Sequence, residues 1–297
     1  MFLIRMTPKK YIVFMFGLLI TVFFFHAQTV ANAKKSDRYF ESLQKSLIKD
    51  GFDKNIITRL YNQPQVYFEG KGVSRFLVHS EAKLNYDQFA SNKSIHNALI
   101  YMDKYKKELA KAEKAYGVNG EIITAIILVE TRLGTILGGP SILNTLSTMA
   151  SLADLDVRDM FWGKVSRSTS LTRKQFEKWV KRKSKWAYNE LKAFLKYTAA
   201  EKIDPASISG SYSGAMGIAQ FMPSNILAFG RDGNGDERID LFNHADAITS
   251  IASYLKHYGW HTGIGRKKAY QVIYHYNHSR QYVDVVLKVA ERLKPKA

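Results

Sequence analysis

The stretch GVNGEIITAIILVETRLG, residues 117–134, decides the fold of this chain. Its apolar residues leave almost no polar face, which predicts a helix buried on all sides. That helix ends on one carboxylate, Glu130, close to Arg132. Apolar walls disfavour a charged carboxylate, so we expect the pKa of Glu130 to be raised, as a general acid acting on a glycosidic bond requires. A solvated Glu130, or one paired with Arg132, is the other interpretation.

Helical spacing of apolar residues recurs outside this stretch, so the predicted fold class is mainly α. Gly117 is expected to end a preceding helix, Asn119 to cap the buried one, and Thr172 with Gln175 to form a capping box. We see few convincing strands and expect a less regular stretch up to residue 91. The predicted helices cover residues 37–51, 95–116, 141–152, 245–258 and 279–293, and a long amphipathic helix begins at Thr172. The first long stripe is Ile95, Leu99, Met102, Tyr105, Leu109, Ala112 and Tyr116, and the inner face after Thr172 is Phe176, Trp179, Val180, Ala187, Leu191 and Leu195.

The N-terminus has the pattern of a secretory signal. Basic residues precede a 15-residue apolar run, Tyr11–Phe25, and small residues follow it at residues 31–33. We expect residues 1–33 to be a signal peptide cleaved after Ala33 and the protein to be exported to a periplasm or cell envelope. An uncleaved anchor is the alternative. The absence of cysteine excludes disulfides, thiolate metal sites and a lipid attachment point.

The chain carries a net charge of +18, and half of it lies between residues 164 and 202, with 12 Lys or Arg against 3 Glu. A basic exported protein meets anionic envelope polymers and membrane surfaces, so we expect peripheral attraction to an anionic envelope and no nucleic-acid partner. A merely solvated helix face is the other interpretation of the charge run. We expect a monomer.

Two more segments have compositions typical of binding sites. Residues 208–225, ISGSYSGAMGIAQFMPSN, combine glycines that allow close backbone approach with an amide and an aromatic ring. Sugar sites need aromatic surfaces beside hydrogen-bonding groups. Residues 275–282, HYNHSRQY, place two tyrosines, an asparagine, two histidines and a serine at the start of the last helix. A Gly-rich connector and an ordinary helix cap with core tyrosines are the alternatives, and a metal site lacks carboxylate or cysteine companions.

In the order EIITAIILVETRLG, GSYSGAMGIAQFMPS, DAITSIASYLKHYGW and YNHSRQY, these motifs resemble the membrane-bound lytic murein transglycosylase B family. The resemblance covers roughly residues 95–293 and implies a lysozyme-like core. It implies Glu130 as the single catalytic acid/base. The residues that it places along the sugar groove are Ser211, Gln220, Phe221, Tyr276, Asn277 and Tyr282.

The reaction implied by the resemblance cleaves the β-1,4 bond between N-acetylmuramic acid and N-acetylglucosamine of peptidoglycan without water. Glu130 would protonate the glycosidic oxygen and then deprotonate the 6-hydroxyl of the same sugar, closing a 1,6-anhydro ring. The recognised motifs hold no partner carboxylate, and ordinary glycosidases use two. A hydrolytic muramidase, with Asp154 or Asp156 as a second acid, and a non-catalytic peptidoglycan-binding protein are the alternatives. No cofactor is expected for catalysis.

The loop DGNGDERID, residues 232–240, has the oxygen pattern of an EF-hand calcium loop. Asp232, Asn234, Asp236 and the carbonyl of Arg238 are the candidate ligands of a structural Ca²⁺, and the resemblance adds Asp246 as the closing acid. Glu237 stands where such loops have Gly, and Asn243 where they have Glu. A metal-free turn is the alternative.

The expected organisation is a signal peptide at 1–33, an N-terminal segment at 34–94 and a lysozyme-like domain at 95–297. That domain contains a basic helical insertion at 164–202 and the EF-hand-like loop at 232–246. The chain departs from the family where only a short basic link follows Trp260. It also departs downstream of Glu130, where SLADLDVRDMFW, residues 151–162, replaces a Tyr-Pro-Arg-Arg-like stretch and leaves only Arg158 as a possible equivalent. These departures concern the outer subsites and the stem-peptide contacts.

Overall fold

The computed structural model describes residues 38–78 and 85–295. The predicted signal peptide and its cleavage site lie outside this range. Within it, none of the helices has an apolar run long enough to cross a bilayer. The chain divides into two compact units between Phe68 and Glu69, and the domain boundary expected at residue 95 stays a prediction.

The first unit, over its described residues 38–68, is a pair of helices. Helix α1 spans residues 38–49, and α2 spans Lys54–Tyr61 with Asp53 as its N-cap, whose carboxylate accepts from the Ile56 amide. Phe40 packs edge-on against Tyr61, with ring centroids 5.3 Å apart. Burial of these rings and of Leu47 gives the helix pair an apolar core.

The second unit is a bundle of helices with no strands among its described residues, where only isolated β-bridges occur. The expected mainly α fold is therefore confirmed. Its helices are α3 (Gly70–Val78), α4 (Asn92–Lys104), α5 (Lys106–Tyr116), α6 (Gly120–Thr131), α7 (Ile142–Ser151), α8 (Leu155–Val165), α9 (Arg173–Ala200), α10 (Pro223–Phe229), α11 (His244–His257), α12 (Arg266–Tyr276) and α13 (Arg280–Leu293).

Helix α6 lies at the centre of this bundle. It packs against α4, α5, α11 and α13, so nearly all of its side chains are buried, as its uniformly apolar sequence predicts. A second group forms where α7 packs on α9 and α9 packs on α8 and α10. Helix α10 also contacts α11 and thereby joins the two groups.

Local sequence signals fix several of the helix ends. The capping box of Thr172 and Gln175 is present at the start of α9. Gly117 ends α5 with φ of 70°, a conformation that glycine adopts without strain. Asn119 precedes α6 as expected, but its side chain makes no cap. Its Nδ2 donates to the Glu113 carboxylate, and its side-chain oxygen accepts no bond from the backbone of the helix.

The single helix predicted over residues 95–116 is wrong, because the structure has α4 and α5 joined at Tyr105. Tyr105 leaves helical geometry, and its ring packs on Tyr101 at 4.6 Å and on His244 of α11 at 4.4 Å. Before the break, Ala98 and Tyr101 are buried, while Leu99, which belongs to the predicted stripe, is 46% exposed. A contact with a distant helix therefore overrides the local periodicity.

Helices α2, α3, α8, α10 and α12 were not predicted. The first two lie in the stretch expected to be less regular. Helix α12, in the expected basic link, buries only Ala269, Val272 and Ile273. Such short helices carry too few apolar positions to show a periodic stripe. Trp179, expected on the inner face of α9, is partly exposed instead.

Candidate active site

Glu130 occupies the last turn of α6, where the helix is closed by unusual backbone geometry. Arg132 and Leu133 both have positive φ, 49° and 63°, and the Leu133 amide donates to the Ile127 carbonyl at 3.2 Å. Residues other than glycine take this conformation at a cost, so the surroundings must hold them there. Glu130 is partly exposed between the buried Val129 and Thr131, which places its carboxyl group at the edge of the core.

Tyr282 holds the carboxylate of Glu130. Its hydroxyl donates to Oε1 of Glu130 at 2.7 Å, and its ring is fully buried at the start of α13. The Ser279 hydroxyl caps that helix by accepting from the Tyr282 amide. Burial and then the negative charge of Glu130 raise the pKa of Tyr282 well above its usual value. The hydroxyl therefore stays protonated and can donate to Glu130 at neutral pH.

Tyr276 forms the neighbouring part of the same wall. Its ring is parallel to that of Tyr282, with centroids 6.4 Å apart and planes within 7°. Its hydroxyl donates to the Ala219 carbonyl at 2.6 Å, and burial raises its pKa well above the usual value. The tyrosine segment and the glycine-rich segment, which are distant in sequence, therefore meet beside Glu130.

The glycine-rich segment is also tied to the end of α6. The Thr131 hydroxyl donates to the Ile218 carbonyl at 3.1 Å and accepts from the Gly134 amide at 3.0 Å. Gln220 has φ of 47°, and its Nε2 donates to the Gly217 carbonyl at 2.9 Å. A second, longer contact of Nε2 reaches the Leu137 carbonyl at 3.4 Å. The Gln220 amide thus spans two loops of the site.

Glycine is required where the loop after α6 meets the glycine-rich segment. A Cβ on Gly138, whose φ is 93°, would lie 2.1 Å from the Gly210 carbonyl oxygen. Ser211 follows this contact, and its hydroxyl accepts from the Ala215 amide at 3.0 Å and lies 2.9 Å from the Ser213 hydroxyl. Ser211 therefore shapes a tight turn whose backbone runs next to the loop beyond Glu130.

The structure places the remaining predicted groove residues differently from one another. Asn277 is partly exposed between α12 and α13, in extended backbone conformation. Phe221, expected to line the groove, is only 2% exposed and packs between Tyr254 at 5.6 Å and Tyr276 at 5.8 Å. A buried ring offers no face to a sugar, so Phe221 supports Tyr276 and does not line a groove in this structure.

Tyr86 is a site residue that the sequence reasoning missed. It is partly exposed, and its ring meets that of Tyr282 edge-on, with centroids 6.5 Å apart. Its proximity contributes to the raised pKa of Tyr282. Tyr86 precedes a short 3₁₀ helix, Asp87–Ala90, in a polar stretch without periodicity. An aromatic residue within that stretch was the only signal in the sequence.

Arg132 and Arg158, the two arginines discussed from the sequence, both bind neighbouring parts of the fold. The guanidinium group of Arg132 donates to Gln88 Oε1 and lies over the ring of Phe89, 5.4 Å from its centroid. Arg158 donates to the carbonyls of Leu152 and Ala153, at 3.2 and 3.1 Å, and so satisfies the end of α7.

The Asp-rich loop is closed by hydrogen bonds to its own backbone. Asp232 accepts from the amides of Gly235 and Glu237 at 2.6 and 2.8 Å, and these bonds lower its pKa. Glu237 has φ of 65°, so it adopts the conformation for which EF-hand loops use glycine. Asp246 is fully buried and accepts from the amides of Gly233 and Asp240, while burial raises its pKa.

The fit of this loop to a cation is partial. Within residues 38–78 and 85–295, no three His, Cys, Asp or Glu side chains cluster closely enough to hold a metal ion. Asn234 Nδ2 instead donates to Asp236 at 2.9 Å, and the Arg238 guanidinium donates to the Glu201 carbonyl at 2.9 Å. Asn243, at the expected closing position, caps α11 by accepting from the Ala245 amide.

Comparison with known sequences settles the family. The sequence profile of the transglycosylase SLT domain matches residues 35–268, which includes Glu130 and the glycine-rich segment. The chain belongs to this family. Membrane-bound lytic murein transglycosylase B of Escherichia coli K12 is 33% identical over 176 residues, which are 59% of this chain and 41% of that protein. The chain therefore spans less than half of that relative, and the resemblance read from the motifs is confirmed.

Solved structures confirm the lysozyme-like transglycosylase fold. The Escherichia coli lytic transglycosylase Slt35 in complex with calcium matches with a TM-score of 0.66 and 22% identity, over 88% of this chain and 92% of that one. SltB3 of Pseudomonas aeruginosa in complex with NAG-anhNAM-pentapeptide matches with a TM-score of 0.68 and 16% identity, over 87% and 79%. At these identities the likeness concerns the fold alone.

Proposed function

We propose that this SLT-family protein is a peptidoglycan lytic transglycosylase. It acts in the cell envelope, to which the N-terminal signal directs its export. It cleaves the β-1,4 bond between N-acetylmuramic acid and N-acetylglucosamine and leaves 1,6-anhydro-N-acetylmuramic acid ends. The observation that carries the proposal is the Tyr282 hydroxyl donating to Glu130 at the end of a buried apolar helix. The muropeptide bound to SltB3, which has the same fold, agrees with this substrate.

Glu130 acts first as a general acid and then as a general base. It protonates the glycosidic oxygen as the bond to the anomeric carbon breaks, and the acetamide of the substrate stabilises that carbon in place of a second carboxylate. The ionised Glu130 then takes the proton of the 6-hydroxyl, whose oxygen closes the anhydro ring. Tyr282 keeps the carboxyl group in position by donating to Oε1 throughout.

The hydrolytic alternative needs a second acid beside the sugar, and the two aspartates weighed for that role sit at the start of α8. The Asp154 carboxylate accepts from the amides of Asp156 and Val157 as the N-cap of that helix. Asp156 is exposed in its first turn. Helix α8 packs on α9, whereas α6, which carries Glu130, packs mainly on α4, α5, α11 and α13. This arrangement favours the single-glutamate reaction.

The test of Glu130 is its replacement by glutamine. Glu130→Gln keeps the size and the hydrogen bond to Tyr282 but cannot transfer a proton, so we expect release of soluble fragments from purified peptidoglycan to fall about 10²–10⁴-fold. Glu121→Gln, in the first turn of the same helix, is the matched control and should retain activity. Residual activity of Glu130→Gln within tenfold of wild type would reject the proposed role.

The loop at 232–246 binds a structural calcium ion in this proposal, which agrees with the existence of a calcium complex of Slt35. Asp232, Asn234, Asp236, the Arg238 carbonyl and Asp246 supply its oxygens, and the ion fastens the loop to the start of α11. Calcium should raise the unfolding free energy by about 2.7 kcal/mol when its free concentration is about 100 times Kd. Asp236→Asn should reduce this gain, and Asp156→Asn, an exposed control, should not. No shift with calcium would refute the site.

A further inference from the structure

Four partly exposed aromatic side chains cluster with one lysine on a partly exposed face of α9. We call this the α9 aromatic patch; it consists of Phe76, Trp179, Lys183, Trp186 and Tyr212. Phe76 lies at its centre, with ring centroids 6.0 Å from Trp179, 6.1 Å from Trp186 and 6.3 Å from Tyr212. Large aromatic rings left in contact with water are a feature of binding surfaces.

The lysine of the patch is held by the rings. Its Nζ lies 4.7 Å from the centroid of Phe76 and 4.5 Å from that of Trp186, so the ammonium group is placed by two cation–π contacts. Burial, and then the charge of Arg182, lower the pKa of Lys183. No carboxylate within the described part of the chain forms an ion pair with it. A ligand carboxylate would restore the interactions that the ammonium group loses from water.

The spacing along α9 shows that the patch is a second face of the helix. Trp179, Lys183 and Trp186 follow one another at intervals of four and three residues, which places them on one side. The adjoining side, which contains Phe176, Val180 and Leu191, is buried in the core. The core therefore uses one side of α9, and the side with Trp179, Lys183 and Trp186 is left partly exposed to solvent.

Tyr212 of the patch belongs to the glycine-rich segment, which also contacts the proposed active site. Tyr212 follows Ser211 directly, and the Ser211 backbone is fixed by its amide donating to the Ala215 carbonyl at 2.8 Å. The same segment then reaches Ala219, whose carbonyl accepts from Tyr276 beside Glu130. The same segment of chain therefore contributes a ring to the patch and a backbone carbonyl to the wall beside Glu130.

We propose that the α9 aromatic patch is a remote saccharide site that binds a carboxylate-bearing sugar unit of the same glycan strand that Glu130 cleaves. The partly exposed faces of Trp186, Trp179 and Tyr212 stack on pyranose rings, and Lys183 pairs with the carboxylate. This inference rests on the proposed function and adds a substrate preference to it. The protein prefers strands that carry carboxylates and extend beyond the sugars bound at Glu130. Both the stem peptide and the lactyl group of a stripped muramyl sugar carry such a carboxylate.

Binding of soluble glycan strands to the full-length Glu130→Gln protein tests the proposal without turnover. Three forms of one preparation are compared: peptide-bearing strands, strands stripped of peptide with free lactyl carboxylates, and peptide-bearing strands whose carboxyl groups have been amidated. Lys183→Gln should weaken binding of the acidic strands by about fivefold, because a partly desolvated charge pair is lost. It should leave binding of the amidated strands unchanged.

The control is Lys185→Gln, which removes the same charge from an exposed position two residues away. It should leave all three affinities within about twofold, as expected for a screened surface charge. Trp186→Leu should weaken binding of all three forms, because it removes a stacking surface. Thermal unfolding checks that the Lys183→Gln, Lys185→Gln and Trp186→Leu proteins are folded. A loss confined to peptide-bearing strands identifies the stem peptide as the source of the carboxylate, and a loss with stripped strands identifies the lactyl group.

The proposal is overturned if Lys183→Gln and Lys185→Gln have equal effects, or if Lys183→Gln weakens the amidated strands as much as the acidic ones. It is also overturned if anionic lipid vesicles, and not the strands, lose affinity on Lys183→Gln. Failure of the proposed reaction would appear separately, as the absence of anhydro products from the wild-type protein. The binding comparison would still report on the patch.

Discussion

Glu130 and Tyr282 are the residues on which the chemistry depends. One lies at the end of a helix that is apolar almost throughout, and the other at the start of a helix more than 140 residues further along the chain. The bundle brings them to 2.7 Å because α13 packs along α6. A carboxyl group that must give and then take a proton benefits from a donor that does not itself ionise.

Replacing Tyr282 with phenylalanine removes only the hydroxyl group and keeps the buried ring. Hydrogen bonds to charged groups contribute about 1.5–3 kcal/mol, so we expect kcat on peptidoglycan fragments to fall about ten- to hundredfold with little change in KM. The exposed Tyr274→Phe is the matched control. A Tyr282→Phe protein with wild-type kcat would show that the contact does not position Glu130.

The tyrosines also predict how stability responds to high pH. Tyr282 has a pKa raised well above its usual value of about 10, so the unfolded chain releases its proton first as pH rises. Its contribution to stability is complete below about pH 10 and is lost as the pH rises through the folded-state pKa. Urea unfolding between about pH 9 and 11 should therefore show a smaller loss for Tyr282→Phe than for wild type. Equal losses would contradict the raised pKa.

At the scale of elements, the site is built where loops meet and not within any one helix. The loop after α6 touches the glycine-rich segment at Gly138, and Thr131 and Gln220 bridge the same two segments. Left-handed backbone at Arg132, Leu133 and Gln220 shows that these turns are held by their surroundings. The loops therefore depend on close packing for their shape.

Gly138→Ala tests that packing. The added Cβ would meet the Gly210 carbonyl oxygen at 2.1 Å, and the φ of 93° is itself unfavourable for alanine. We expect a loss of about 2–4 kcal/mol in unfolding free energy and a loss of cleavage activity, measured by urea denaturation and peptidoglycan digestion. Gly139→Ala, where nothing lies within 4 Å, should change stability by less than about 1 kcal/mol. Equal effects at the two positions would contradict this packing.

The elements differ in how far the sequence predicts them. The buried helix α6 follows from its uniform apolarity, and the start of α9 from its capping box, because both signals are local. The break at Tyr105 depends on His244 of a distant helix, and α12 buries too few side chains to show a stripe. Contacts between elements, and not propensities within them, decided those cases.

At the scale of the whole molecule, the sequence identifies the segments of the site but not their contacts. Three motifs far apart in the chain were predicted to converge, and the structure brings Glu130, Gln220, Tyr276 and Tyr282 into one region. The burial of Phe221 and the approach of Tyr86 could not be predicted, because both depend on how α12 and the 3₁₀ helix pack. The α9 aromatic patch was likewise hidden, since Trp179 was assigned to the core.

The charge distribution is a second property of the whole chain. Half of the net charge lies on or near α9, and the patch is on that helix. General attraction to anionic polymers is screened by salt, and removal of any one surface lysine or arginine should weaken it to a similar extent. The contrast between Lys183 and Lys185 separates that general attraction from a defined site.

The most direct measurement of the central claim is the mass of the products that wild-type protein releases from purified peptidoglycan. A single glutamate that takes the proton of the 6-hydroxyl yields anhydro-muramyl ends, each lighter by the mass of one water molecule than a hydrolysed end. We expect these ends from the wild type and almost none from Glu130→Gln. Reducing ends from the wild type would contradict the intramolecular ring closure and show that water attacks the sugar.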